Sequence, residues 1–275
     1  MIMGRSTQIA ARVVVALAIL AVIGPLLWVI RVALRPQAAF LTDPAGIGGG
    51  VTFRNLADAW SIGGLGDALR NSALVVVPGA LIATALAAMA GWGIAGYRFP
   101  GRGVLTGVMV AAMFLPLAAL VMPLFDQGVR LHVVGHRWWL SLVYGTVFAP
   151  WGTLFLRSVF LSVPGDIREA ATIDGAGSLR VFTSIVIPIS NHALATTFVI
   201  NVFLQWSELI LALLLLPSAG TTMVSVAIAQ FSTQFRTGGP LTAAGLVIGA
   251  APIVALFVVA QRWLRAGAMA GALKE

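Results

Sequence analysis

Three groups of residues in this chain have the types and spacing to do chemistry or to hold a partner. The first is Glu169-Ala170-Ala171-Thr172-Ile173-Asp174-Gly175-Ala176, a polar stretch between two long apolar runs. Its residue types point to docking rather than catalysis. The alanines present a face without bulk, Asp166 and Glu169 complement the positive end of a helix, and Gly175 can end that helix in a left-handed residue. The second group is Asn201, Gln205 and Glu208, spaced i, i+4 and i+7 and therefore on one helical face. The third is His132 and His136, a spacing that can hold zinc. No third ligand is apparent beside them, and a solvated loop is the simpler reading. No nucleophile–base arrangement stands out, so neither a catalytic nor a metal site is expected.

The elements that position these groups follow from composition. Of 275 residues, 59% are hydrophobic and 9% charged, with a mean hydropathy of +0.98. A soluble domain carries about 25% charged residues, so lipid must solvate much of this chain. Cysteine is absent, which excludes disulfides and thiol chemistry. The one lysine, Lys274, is followed by Glu275. A phosphate-binding loop needs Lys followed by Ser or Thr, so the chain does not hold ATP that way. The net charge of +8 would point to nucleic acid in a soluble protein, but these arginines mostly flank apolar runs, where they orient a membrane protein.

The apolar runs are long enough to cross a bilayer as helices, near 13–32, 72–95, 104–125, 138–156, 193–216 and 241–264. They are continuously apolar, which disfavours a β-barrel. The chain is thus expected to be an all-α integral membrane protein, a single transmembrane domain over 1–275, whose first run stays uncleaved. With both termini in the cytoplasm, the outer basic residues are Arg31, Arg35, Arg54, Arg70, Arg130, Arg137 and Arg236. The remaining basic residues, Lys274 included, fall inside and outnumber them, as the positive-inside rule prefers. Segment 34–71 reads as an exposed outer loop with short structure of its own. Pro116 and Pro123 predict a bend in the third span.

The polar stretch lies between the fourth and fifth spans, in a loop over 162–188. Ser162 can cap a helix, Pro164 suits its first turn, and a second helix can start near Ser178. Leu179, Phe182 and Ile185 have the spacing to anchor that second helix. For Asn201, Gln205 and Glu208 two readings stand: a face lining a solute path, or hydrogen bonds between helices. Trp206 fits either an aromatic stacking platform or a membrane-boundary anchor.

The segment resembles the EAA loop of binding-protein-dependent ABC importers, specifically the maltose-type carbohydrate permeases. Glu169, Ala170, Ala171, Asp174, Gly175, Ala176, Phe182 and Pro188 match that pattern. Further matches run through the chain: Phe53-Arg54-Asn55, Asn71-Ser72, Phe99-Pro100-Gly101-Arg102, Pro116, Pro123-Leu124, and Gln261-Arg262-Trp263-Leu264 with Gly271 and Lys274. Trp206-Ser207-Glu208 departs at Ser207 from the family's usual asparagine, and Glu275 stands where glycine is commoner. The resemblance implies a six-helix permease bundle in a prokaryotic plasma membrane, importing a carbohydrate-type solute. Its coupling helix around Glu169–Gly175 would seat in an ATPase subunit, and the tail at Gly271 and Lys274 would reach the same interface. Implied partners are a second homologous permease, two ATPase domains and an extracytoplasmic solute-binding protein. No cofactor is implied on this chain; ATP and Mg would sit on the ATPase. A non-sugar solute such as a polyol phosphate, a secondary transporter and a membrane enzyme are the rival readings.

Overall fold

The computed structural model describes residues 5–61, 63–234 and 239–272. Helices follow in the order α1 (Arg5–Ala33), α2 (Gln37–Thr42), α3 (Arg54–Ser61), α4 (Leu65–Gly96), α5 (Arg102–Met113), α6 (Leu117–Arg130), α7 (Arg137–Val147) and α8 (Ala149–Ser162). Then come α9 (Gly165–Ile173), α10 (Ser178–Val181), a π-helical turn (Phe182–Val186), α11 (Ile187–Ile189), α12 (Asn191–Trp206), α13 (Ile210–Leu215), α14 (Val224–Gln234) and α15 (Pro240–Ala272). Three stretches cross a membrane as single helices by length and apolarity: Ala11–Ala33, Leu65–Gly96 and Pro240–Gln261. Three bent pairs pass together, Arg102–Met113 with Leu117–Arg130, Arg137–Val147 with Ala149–Ser162, and Ser178–Ile189 with Asn191–Trp206. The described residues form an all-α membrane bundle, with six spans when each bent pair is taken as one.

The bends have local causes. The third span turns by 100° at Pro116, which lacks the N–H that would continue α5 and sits in extended backbone ahead of α6. Pro123 lies within α6 and does not break it. The fifth span ends at Trp206, ahead of the expected 216, and α13 is a separate short helix. The second span begins at Leu65, so Asn71 and Ser72 are buried inside α4 rather than opening it.

Contacts divide the chain into two compact units, Met1–Gly66 with Ala227–Ala251, and Asp67–Val226 with Pro252–Glu275. In the first, the loop after α1 is tied down by side chains expected to mark only orientation. Arg35 is buried and donates through Nε to Gly48 O at 2.9 Å and through Nη2 to Ala39 O at 3.2 Å. Arg31 donates to the carbonyls of Ile47 and Gly48. Asn55 Nδ2 closes on Ala33 O at 2.8 Å and Arg35 O at 2.7 Å. Arg236 and Lys274 lie outside the described residues, while Gly271 falls in the last turns of α15.

In the second unit, α4 packs through small residues, the usual way helices approach in lipid. Ala80, Ala83 and Ala87 are fully buried. A methyl group on Gly91 would come within 3.1 Å of both Thr153 O and Arg157 N. One on Gly152 would meet Ala87 and Thr197 at about 3 Å. This close seam joins α4 to α8 and α12, and Asn201 and Gln205 lie along it.

Candidate functional site

Helix α9 is built by its ends. Pro164 precedes it in extended backbone, and Asp166 occupies its first turn, where a negative charge opposes the exposed N–H groups. Ser162 does not cap it; its hydroxyl donates back to Val159 O at 2.6 Å. At the other end Ala176 N bonds to Ala171 O at 2.9 Å and Gly175 N to Thr172 O at 3.0 Å. Gly175 has φ +80°. This is a Schellman termination, which favours glycine at the left-handed position.

No residue of α9 is buried. Ile173 is 85% exposed, and Glu169 and Ala170 face outward. Ala171 and Ala176 lean on the packing behind. That packing is aromatic: Phe182 stacks on Trp92 with centroids 5.8 Å apart, and Phe160 meets both rings edge-on at 6.3 and 6.4 Å. Trp92 comes from α4 and Phe160 from α8, so the turn after α9 is clamped to two spans. Tyr97 and Ser178 share a hydroxyl–hydroxyl hydrogen bond beside it. A cleft of about 410 Å³ separates α9 from this base, lined by Trp92, Arg168, Glu169, Thr172 and Ser178 among others. The sequence reading placed Phe182 in the anchor correctly. It also put Leu179 there, which is 75% exposed; Val181 and Val186 are buried in that packing instead. Trp92 and Phe160 were missed, since nothing local links them to the loop.

The intramembrane polar residues are brought together along α12, but inside the packing. Asn201 is fully buried, accepts from Trp151 Nε1 at 3.1 Å and donates to Thr84 Oγ1 at 3.4 Å. Glu208 lies beyond the end of α12 and caps α13. Its Oε1 accepts from Leu211 N at 2.9 Å, and its Oε2 from Ala212 N at 3.1 Å and from Tyr144 OH at 2.8 Å. Ser225 Oγ donates to the Glu208 carbonyl, and Trp206 is half-buried against the apolar core. Gln205 is the exception. It is wholly buried, yet neither end of its amide has a hydrogen-bond partner. Its Oε1 sits against Gly79, where an added methyl would approach to 2.6 Å. Among the described residues no cluster of three metal-ligating side chains occurs, and His132 and His136 stay in their loop.

An exposed, glycine-terminated helix thus stands on a base of packed rings. Residues 83–268 match the family described as the binding-protein-dependent transport system inner membrane component. The chain belongs to this family. The permease is 31% identical over 252 residues to the trehalose transport system permease protein SugB of Mycobacterium tuberculosis, covering 91% of this chain and 92% of that one. It is 29% identical over 243 residues to the diacetylchitobiose uptake system permease protein NgcG of Streptomyces coelicolor, covering 88% and 80%. Its fold matches a chain from the crystal structure of a bacterial ABC transporter involved in the import of the acidic polysaccharide alginate. That match has a TM-score of 0.79 at 18% identity and covers 95% of this permease and 99% of the other chain.

Proposed function

We propose that this permease carries a carbohydrate-type solute across the plasma membrane, driven by ATP that partner subunits hydrolyse. The observation that carries the reading is the contrast within the loop: nine helical residues, none buried, on a base held by three packed rings. An isolated helix of this length is marginal in water, so a groove on another protein gives it a use. Glu169, Ala170, Ala171, Asp174, Gly175 and Ala176 form the surface seated in the ATPase, and rigid motion passes through Phe182 and Trp92 into α4 and α8. The tail at Gly271 and Lys274 joins that interface. A second permease, two ATPase domains and a solute-binding protein complete the importer, with both termini of this chain in the cytoplasm. The permease itself binds no cofactor, and ATP and Mg belong to the ATPase.

The solute class rests on relatives named for trehalose, diacetylchitobiose and α-glucosides. Asn201 and Glu208 support the path by bracing its helices. Gln205, with Trp206 beside it, is the group with hydrogen-bonding capacity left to offer a solute.

Pull-down of the tagged chain from mild detergent tests the coupling role. Wild type is expected to retain an ATPase and a sister permease, while Glu169→Lys and Gly175→Pro lose the ATPase and keep the sister. ATPase retention by both variants, or its absence from wild type, would overturn the assignment.

A further inference from the structure

Away from the coupling segment and the polar seam, the second unit contains a groove of about 640 Å³ between α4 and the start of α7. One wall is Leu74, Pro78 and Ile82, spaced i, i+4 and i+8 along α4, a rise of about 12 Å. The facing wall is Trp138 and Leu142 on α7. Leu74, Trp138 and Leu142 are exposed, so the groove presents hydrocarbon to whatever lies beside it. At one end stands Arg137. Its Nε donates to Asn71 Oδ1 at 3.0 Å and its Nη2 to Gly220 O at 2.9 Å. Both acceptors are neutral. Among the described residues Arg137 makes no ion pair, whereas Arg130, the last residue of α6, pairs with Asp126 at 2.9 Å.

We infer that this groove is a binding site for one anionic phospholipid, its phosphate on Arg137 and an acyl chain laid between Leu74–Ile82 and Leu142. Charge complementarity selects the headgroup. A half-buried guanidinium, oriented by two fixed hydrogen bonds and lacking a carboxylate, matches a phosphate, and its Nη1 donors remain to meet it. The walls select a lipid over a free anion. A soluble phosphate gains nothing from 12 Å of aliphatic surface, while an acyl chain fills it along its length. Trp138, at the same level as the arginine, is the residue type that sits at the headgroup boundary.

Native mass spectrometry of the full chain in mild detergent, titrated with phosphatidylglycerol or phosphatidylcholine of identical chains, tests the site. Wild type is expected to retain one phosphatidylglycerol at a concentration at least tenfold below that needed for phosphatidylcholine, the scale of one charge-assisted hydrogen bond. Arg137→Gln should erase the difference. Leu142→Trp, which fills the groove and leaves the arginine in place, should lower phosphatidylglycerol retention, and Arg130→Gln should change nothing. Equal retention of the two lipids by wild type overturns the proposal. So does a preference that survives Arg137→Gln, or full loading of Leu142→Trp. Displacement by glycerol phosphate would reassign the site to a free anion, and loss of the lipid when a sister permease co-purifies would reassign the groove to a subunit interface. Either result overturns the proposal.

Discussion

Glu169 and Glu208 are the glutamates among the described residues, and their surroundings are opposite. Glu169 stands exposed on α9, beside a cleft and on a helix with no buried residue. Glu208 is enclosed, with both carboxyl oxygens taken up by two backbone N–H groups and a tyrosine hydroxyl. The difference separates two uses of a polar group in a membrane protein. A buried polar group with its own partners fixes the internal geometry. An exposed one on a helix with no buried residue does not fix the packing of its own chain.

The largest expected effect comes from breaking the internal site. Glu208→Ala leaves the amides of Leu211 and Ala212 and the hydroxyl of Tyr144 without their acceptor, at roughly 3 kcal/mol or more in stability. The denaturant midpoint of the detergent-solubilised protein reads this directly. Glu169→Lys should leave that midpoint where it was. If the two substitutions destabilise equally, the contrast between a braced interior and a free docking surface fails.

Trp92→Ala probes the boundary between the two regions. It removes the ring that stacks on Phe182 and meets Phe160 edge-on, with an expected cost of about 3 kcal/mol. It should also weaken retention of the partner ATPase although α9 itself is untouched. Retention equal to wild type would mean that the aromatic base does not set the orientation of α9.

Gln205→Leu is expected to act in the other direction. Both ends of the amide are buried and unpartnered, so replacing it with an apolar group of similar size should raise stability by about 1–2 kcal/mol. If Gln205 contacts solute during transport, uptake should fall in the same variant. A lower midpoint would show that the amide is satisfied in the folded protein.

How far these contrasts could be read in the sequence follows the range of the interactions. The six spans were legible because a bilayer demands a local signal, about twenty apolar residues in a row. Pro116 and Gly175 were legible because each acts on its own backbone. Glu208 was placed on a helical face with Asn201 and Gln205, whereas it lies past the end of α12 and caps the next helix. Periodicity cannot show where a helix stops when the residues beyond it, Ile210–Leu215, are just as apolar. The clamp was invisible for a different reason. Trp92, Phe160 and Phe182 meet only after α4 and α8 have packed, and none carries a sequence mark of the other two. Arg31 and Arg35 likewise read as orientation charges, yet they bind loop carbonyls in the first unit.

The smallest expected change in stability is on α9 itself. Ile173→Ser alters a side chain that is 85% exposed and lies directly before the Schellman turn, whose backbone bonds it does not touch. Surface substitutions of this kind usually shift stability by no more than about 0.5 kcal/mol, so the denaturant midpoint should not move measurably. If α9 docks as proposed, this exposed isoleucine offers apolar area to the groove that receives it. Retention of the ATPase in the pull-down should therefore fall with the isolated permease unchanged. A shifted midpoint would show that Ile173 packs within its own chain, and α9 would then join Glu208 as part of the internal scaffold. An unchanged midpoint with unchanged ATPase retention would place the docking surface on the Glu169–Ala170 side of the helix alone.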